Sequence, residues 1–296
     1  MNFSDWIGAM AAFGVLVAVW WPVRLAIAQR VERRFEESNP RNSDGIIIGA
    51  EPTRVRGVRP GAVLLLHGYN DSPQTVRSLA AALHDFGWTV HAPVLAGHAR
   101  TLQAFAQSGA TEWMDGVRSE YRELRAHHEV VAVGGMSMGG ALALLLAAEQ
   151  ADVRAVFGVA SFLNVTLTMR AVVAVSAIAG LGARYVSGGG GRSVHDPEAA
   201  RNIIAYRMST PRLVRELEKI ASSAVEALPR IHQPVLFVQS REDNRIPVRS
   251  TVRAFDRIAS RDKSLDWVTG AGHVLTVDYG HERLERRIIE WLSARM

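Results

Sequence analysis

One serine stands between two glycines in Gly135-Met136-Ser137-Met138-Gly139, with the apolar run EVVAV before it and ALALLLAAEQ after it. The first run predicts a buried strand and the second a helix. In a sharp strand-to-helix turn the serine backbone is strained. Side chains at the two flanking positions would collide with the neighbouring turn, and glycine removes the collision. The turn lifts the hydroxyl above a sheet edge. It also sets a helix N-terminus beneath, where free amides and the helix dipole favour developing negative charge. The chemistry this would serve is nucleophilic attack; the plain alternative is a glycine-rich packing turn.

A serine hydroxyl is a weak nucleophile at neutral pH and needs a base. Of the ten histidines, His273 in TGAGHVLTVD follows a late strand in a glycine-rich loop. His281 is the second candidate, explained equally by a polar cap on the closing helix. His127, His128, His195 and His232 lie in polar or linker contexts, and His84 at the exposed end of an amphipathic helix. The base in turn needs a carboxylate to hold its tautomer. Asp243 follows PVLFVQS, at the C-terminal end of a strand, where ligand chemistry gathers in open α/β sheets. Asn244 and Pro247 shape a tight loop around it; Glu242 is its neighbour, and Asp266 reads as structural. Acyl transfer also needs amide donors for the oxyanion. LLLHGYNDSP ends a strand at His67-Gly68, and the Gly68 turn aims the Tyr69 amide toward Ser137. The Met138 amide supplies the second donor, and His67 reads as a brace for the loop.

These residues need elements to position them. AVLLLHG, WTVHAPV, VVAVGG, VRAVFGVAS, PVLFVQS and SLDWVTG read as strands, and amphipathic runs between them read as helices. SPQTVRSLAAALHDFG opens with Ser72 as a candidate N-cap and Pro73 in the first turn. Apolar strands alternating with helices predict a mostly parallel sheet covered on both faces. Residues 161 to about 230 break the rhythm: helical patterns, no convincing strand, the apolar piece Ala171 to Leu181 and the tetraglycine Gly188 to Gly191. They read as a small helical cap inserted over one edge of the sheet.

With these motifs in place, the chain from about residue 45 onward resembles the α/β-hydrolase superfamily, most closely its carboxylesterase and monoacylglycerol-lipase-like members. VLLLHGYNDSP, VHAPVLAGHAR, VGGMSMGGALAL, PVLFVQSREDNRIPV and GAGHVLTVD carry the resemblance. It implies Ser137, Asp243 and His273 as catalytic triad, with Tyr69 and Met138 as oxyanion donors. Gly135, Gly139, His67 and Gly68 would support the turns. The implied reaction is ester hydrolysis through an acyl-serine, on a small-molecule or lipid ester, without metal or cofactor. The same triad would serve an acyltransferase, thioesterase or perhydrolase; a non-enzymatic tethered binding module would need a broken catalytic position, and none is seen. One departure is Gly97-His98-Ala99, where the family often has Gly-His-Gly.

Composition bounds the rest. The chain has 296 residues, 48% of them hydrophobic, enough for one large α/β domain with an insertion. It contains no cysteine, which excludes disulfide scaffolds and cysteine metal sites. The net charge of +5 lacks the long basic runs with interleaved aromatics of a nucleic-acid binder. Trp6 to Val23 carries no charge, has tryptophans at both ends, and is followed by Arg24, Arg30, Arg33 and Arg34. It reads as a single-pass N-terminal membrane anchor over residues 1–29, with a charged juxtamembrane linker over 30–44 and a hydrolase domain over 45–296. The arginines would leave the catalytic domain cytoplasmic; a cleaved signal peptide and secretion is the alternative.

Overall fold

The structure is a computed structural model. It describes residues 3–163, 184–187 and 193–296, excluding the side chains of 3–5 and 7–17. The apolar piece Ala171 to Leu181 and the tetraglycine Gly188 to Gly191 lie outside the described residues.

Along the chain run α1 (Phe3–Ser38), β1 (Thr53–Val55), β2 (Ala62–Leu66), α2 (Arg77–Asp85), β3 (Thr89–Ala92), α3 (Leu102–Gln107) and α4 (Ala110–His127). Then come β4 (Val131–Met136), α5 (Met138–Glu149), β5 (Val156–Val159), β6 (Val186–Ser187), α6 (Pro197–Asn202), β7 (Met208–Ser209) and α7 (Pro211–Ala227). β8 (Val235–Ser240), α8 (Val248–Arg257), β9 (Lys263–Val268) and α9 (His281–Ser293) close the fold. Seven strands form one sheet in the order β1-β3-β2-β4-β5-β8-β9. All pairs are parallel except the edge pair β1·β3. The six strands read from sequence all form; β1, three residues long, is an addition.

Alternation along each strand feeds two cores. Leu64, Leu66, Val133, Val156 and Phe237 face one side, with α4, α5 and α7. Val63, Leu65, Ala132, Phe157, Leu236 and Val238 face the other, with α2 and α9. Each such fully buried side chain contributes roughly 1.5–3 kcal/mol, which is why these runs are apolar throughout rather than alternating.

Three expectations are corrected. The membrane anchor over residues 1–29 is not supported: among the described residues no helix is long and apolar enough to cross a membrane. A span needs about 20 apolar residues. α1 carries Arg24 within its described part and turns Ala28, Val31 and Phe35 onto the protein core, with Phe35 stacked on Tyr206 at 5.0 Å. The side chains of residues 7–17, the middle of the apolar run, lie outside the description. The membrane partner and the orientation inferred from that anchor lose their support with it. Second, the insertion contains a strand pair: β6 and β7 run antiparallel, two residues each, too short to leave a periodic signal. Third, Ser72 makes no side-chain cap; Pro73–Val76 forms a 3₁₀ turn instead.

Candidate active site

The site sits at the C-terminal ends of β2, β4 and β8. β4 runs into α5 through a turn in which Ser137 has φ 54° and ψ −115°, a left-handed conformation strained for any residue with a Cβ. A Cβ on Gly135 would stand 2.4 Å from the Gly139 carbonyl carbon, and one on Gly139 would stand 2.2 Å from the Leu66 oxygen. The turn can therefore form only with hydrogen at both positions. The Ser137 amide donates to Val159 O (2.8 Å), and its carbonyl accepts from Phe162 N (3.0 Å), so the end of β5 and the loop after it hold the turn.

Ser137 Oγ lies 2.9 Å from His273 Nε2, and His273 Nδ1 lies 2.8 Å from Asp243 Oδ2. The structure thus brings together the three residues singled out from the sequence. His273 is nearly buried, and the Asp243 side chain is fully so. Asp243 accepts four hydrogen bonds. Its Oδ1 takes the amides of Arg245 (2.7 Å) and Ile246 (2.9 Å), and its Oδ2 takes Gln239 Nε2 (2.8 Å) besides His273. Burial alone would raise this carboxyl, but the bond and charge of His273 and the two amides outweigh it and hold it below the ordinary range. Such an arrangement keeps Asp243 ionised, fixes the proton of His273 on Nδ1, and leaves Nε2 free to take the proton of Ser137.

Glu242, the neighbour of Asp243, turns elsewhere and accepts the Gly270 amide (2.7 Å). Asp266 pairs with Arg287 Nε at 2.6 Å, and His281 points Nδ1 at Asp278 O (3.1 Å).

Met138 occupies the first position of α5, where an amide has no partner one turn back. Tyr69 follows Gly68 at the end of β2, and its ring packs on Phe105 (5.4 Å) and Trp113 (6.2 Å). Its hydroxyl meets Ser209 Oγ of the insertion at 2.5 Å. His67 is fully buried. The Leu95 amide donates to its Nε2 (3.1 Å), which leaves the proton on Nδ1 to reach Gly68 O (2.9 Å). Burial pushes its pKa down to about 4 against the opposing Gly68 bond. A neutral His67 therefore ties the Gly68 turn to the Leu95 loop. That loop ends in Ala99, whose φ of 51° is the glycine-type conformation; the departure from Gly-His-Gly keeps the backbone shape.

Sequence reasoning missed a set of supports. Gln239, fully buried, holds Asp243 and is itself held by Thr251 Oγ1 (3.1 Å). Asp278, fully buried in a loop, accepts from four amides: Gly272 (2.7 Å), Tyr279 (2.8 Å), His195 (2.8 Å) and Asp196 (2.9 Å). Two belong to the His273 loop and its continuation, two to the insertion. Ser193 O then accepts from His273 N (2.7 Å) and Val274 N (3.0 Å). The only advance signal for Asp278 is its place in TVDYG, a polar residue inside an otherwise apolar loop. Among the described residues His91, Glu120 and Glu123 cluster with metal-ligand spacing. Arg54 already bridges both glutamates, so the protein satisfies that charge itself.

Against this geometry the sequence profile of the family described as serine aminopeptidase, S33, matches residues 58–279. The chain belongs to that family. Proteins similar to the chain include a thermostable monoacylglycerol lipase of Bacillus sp. (strain H-257), 27% identical over 84% of this chain and 96% of that protein. A carboxylesterase of Bacillus subtilis is 26% identical over 78% of this chain and 92% of its own length. Among solved structures, one from work on the metagenome-derived lipolytic enzymes LipS and LipT superposes with TM-score 0.77 at 28% identity, covering 84% of this chain and 99% of that one. The Paleococcus ferrophilus monoacylglycerol lipase superposes with TM-score 0.72 at 22% identity, over 83% and 98%. The fold is the α/β-hydrolase fold.

Proposed function

We infer that the chain is an ester-cleaving serine hydrolase, acting through an acyl-serine with Ser137, His273 and Asp243 as its triad. The observation that carries this is the unbroken hydrogen-bond line from Ser137 Oγ through His273 to Asp243 Oδ2. Ser137 Oγ attacks the ester carbonyl carbon as its proton passes to His273 Nε2. The tetrahedral oxyanion takes the amides of Tyr69 and Met138, each donor worth ~3 kcal/mol of transition-state stabilisation. His273 hands its proton to the leaving alcohol, the C–O bond breaks, and Ser137 carries the acyl group. Water, deprotonated by the same imidazole, attacks the acyl-serine; the acyl C–O bond breaks, His273 returns the proton to Ser137 Oγ, and the acid leaves.

For substrate we propose carboxylic esters with an apolar acyl chain, of the monoacylglycerol class. The lipolytic names of the Bacillus sp. and metagenomic relatives support an apolar acyl group. Ser137→Ala lowers kcat on p-nitrophenyl esters by roughly four or more orders of magnitude; retained turnover would sink the mechanism. A chain-length series of those esters peaks at long acyl chains, and a peak at acetate would replace the lipid reading with a short-acyl one. Thioesters and amides in the same panel separate thioesterase or amidase activity from ester cleavage.

A further inference from the structure

We propose that the cleft between α1 and the insertion binds a long-chain carboxylate, a fatty-acid anion, at a site separate from the triad. The choice of a carboxylate head rests on the ester-hydrolase reading above, under which that acid is the product; the cleft itself does not.

The cleft has a volume of about 590 Å³, within the roughly 300–1,000 Å³ of small-molecule sites. One wall is the C-terminal half of α1, the other the stretch of the insertion that runs from the end of α6 to β7. Val31 and Phe35, one helical turn apart, give α1 an apolar stripe there, and Ile203, Ile204 and Met208 supply the apolar part of the other wall. All of them are half-buried, so apolar surface is left for a ligand to cover. Arg34, Arg201 and Arg207 join them, all exposed. Arg207 Nη2 donates to Ala200 O (3.1 Å), which brings that guanidinium back beside Arg201. Among the described residues no carboxylate lines the cleft, and none of these arginines forms an ion pair.

Cationic heads bordering an apolar bed fit an anionic amphiphile. A guanidinium holds a carboxylate through two parallel N–H···O bonds, and the tail gains by covering the bed. A small anion leaves the bed wet, and a cationic amphiphile meets the arginines as like charge. Tyr206 separates the cleft from the catalytic machinery. Its ring stacks on Phe35 (5.0 Å, 14°) and on Phe105 (4.2 Å, 6°), and two parallel rings can only occupy its opposite faces. Phe105 in turn packs on Tyr69 of the oxyanion loop (5.4 Å). The Tyr206 hydroxyl donates to Gly97 O and accepts from Arg100 N, both at 2.9 Å, which pins the ring as a partition. α1 also precedes residues 58–279, over which the family profile matches, so one wall of the cleft lies outside the shared part of the family.

The test is calorimetric titration of octanoate, decanoate and dodecanoate into the full chain, with Ser137 first blocked by a long-chain fluorophosphonate so that the acyl site is filled. One anion is expected to bind per chain, with Kd falling up to about fourfold for each added methylene that the cleft still covers. Arg34→Gln with Arg201→Gln, both at exposed positions, weakens dodecanoate roughly tenfold or more, while fluorophosphonate labelling keeps its wild-type rate. Either substitution alone carries the comparison if the pair does not fold. Dodecyltrimethylammonium and inorganic phosphate do not displace dodecanoate. No binding to the blocked protein, binding indifferent to the arginine changes, or equal binding of dodecyltrimethylammonium would overturn the proposal. A chain that does not label at Ser137 would take down the hydrolase reading instead, and the same titration on the unlabelled chain, read through the arginine variants, would still decide the cleft.

Discussion

Ser137 and His273, the proposed nucleophile and its proposed base, are held in place by different means. Ser137 is fixed by hard-sphere contact: residues 134–140 fold into a turn with no room for a methyl group at Gly135 or Gly139. His273 is fixed by polar bonds that converge from three separate stretches of chain. Asp278 and Ser193 O join its loop to the insertion, and Ser240 Oγ joins it to the end of β8 through Ala271 O (2.5 Å). Steric fixation is indifferent to pH and unforgiving of volume. Polar fixation is long-range, responds to protonation, and couples the base to the segment packed over it. A serine that must stay strained requires the first. A histidine that must accept and return protons without shifting is served by the second.

The largest effect separating the two belongs to Gly139→Ala. Its new methyl would meet the Leu66 carbonyl at 2.2 Å, backbone that cannot rotate away, so β2 or the elbow must move. The expected cost is about 3 kcal/mol or more, read by denaturant melts, with loss of fluorophosphonate labelling and the same deficit at every pH. A variant as stable and reactive as wild type would show that the elbow is not sterically closed.

Asp278→Asn breaks the other side. An amide offers one acceptor oxygen where four backbone N–H groups converge, and its own NH₂ faces donors. The expected loss is about 2–4 kcal/mol, with a fall in kcat from a less ordered His273. Burial would raise the Asp278 carboxyl, but the amides of Gly272, His195, Asp196 and Tyr279 outweigh it and lower its pKa. The stabilisation is therefore fully present above the unfolded value of about 4 and lost as pH falls through the lower folded value. Wild type and variant differ most at neutral pH and converge in acid. A deficit that did not shrink on acidification would place the damage in packing rather than in the charge.

Ala99→Gly gives the smallest effect and serves as a control on local strain. Relief of the left-handed backbone is offset by loss of a buried methyl and by a freer unfolded chain. Stability therefore stays within about 1 kcal/mol, with ester hydrolysis unaltered. A larger loss would mean that the methyl contact, not the backbone, governs that position.

The same contrast explains what could be read in advance. The elbow is written in consecutive residues, because its two glycines flank Ser137 within two positions, although the backbone that excludes a side chain at Gly139 is that of β2. The order Ser137, Asp243, His273 and the six apolar strands are legible for a similar reason: strand ends and turn residues mark themselves. Gln239 and Asp278 are not legible. Gln239 is set on Asp243 by Thr251 of the following helix, and two of the four amides on Asp278 come from the insertion, far back in the chain; nothing next to either residue records that. The anchor expectation lacks support for another reason: hydropathy counted the apolar run Trp6 to Val23, and among the described residues no helix is long and apolar enough to cross a membrane.

The sequence by itself determined the strand-helix alternation, the parallel sheet and the residue types able to form a nucleophile, a base and its carboxylate. These follow from periodicity and turn sterics acting over a few residues. Only the tertiary structure decided that Gln239 braces Asp243 and that Asp278 binds the His273 loop to the insertion. Those outcomes depend on which distant backbone groups arrive at the same point, and a buried carboxylate takes its role from the donors that surround it.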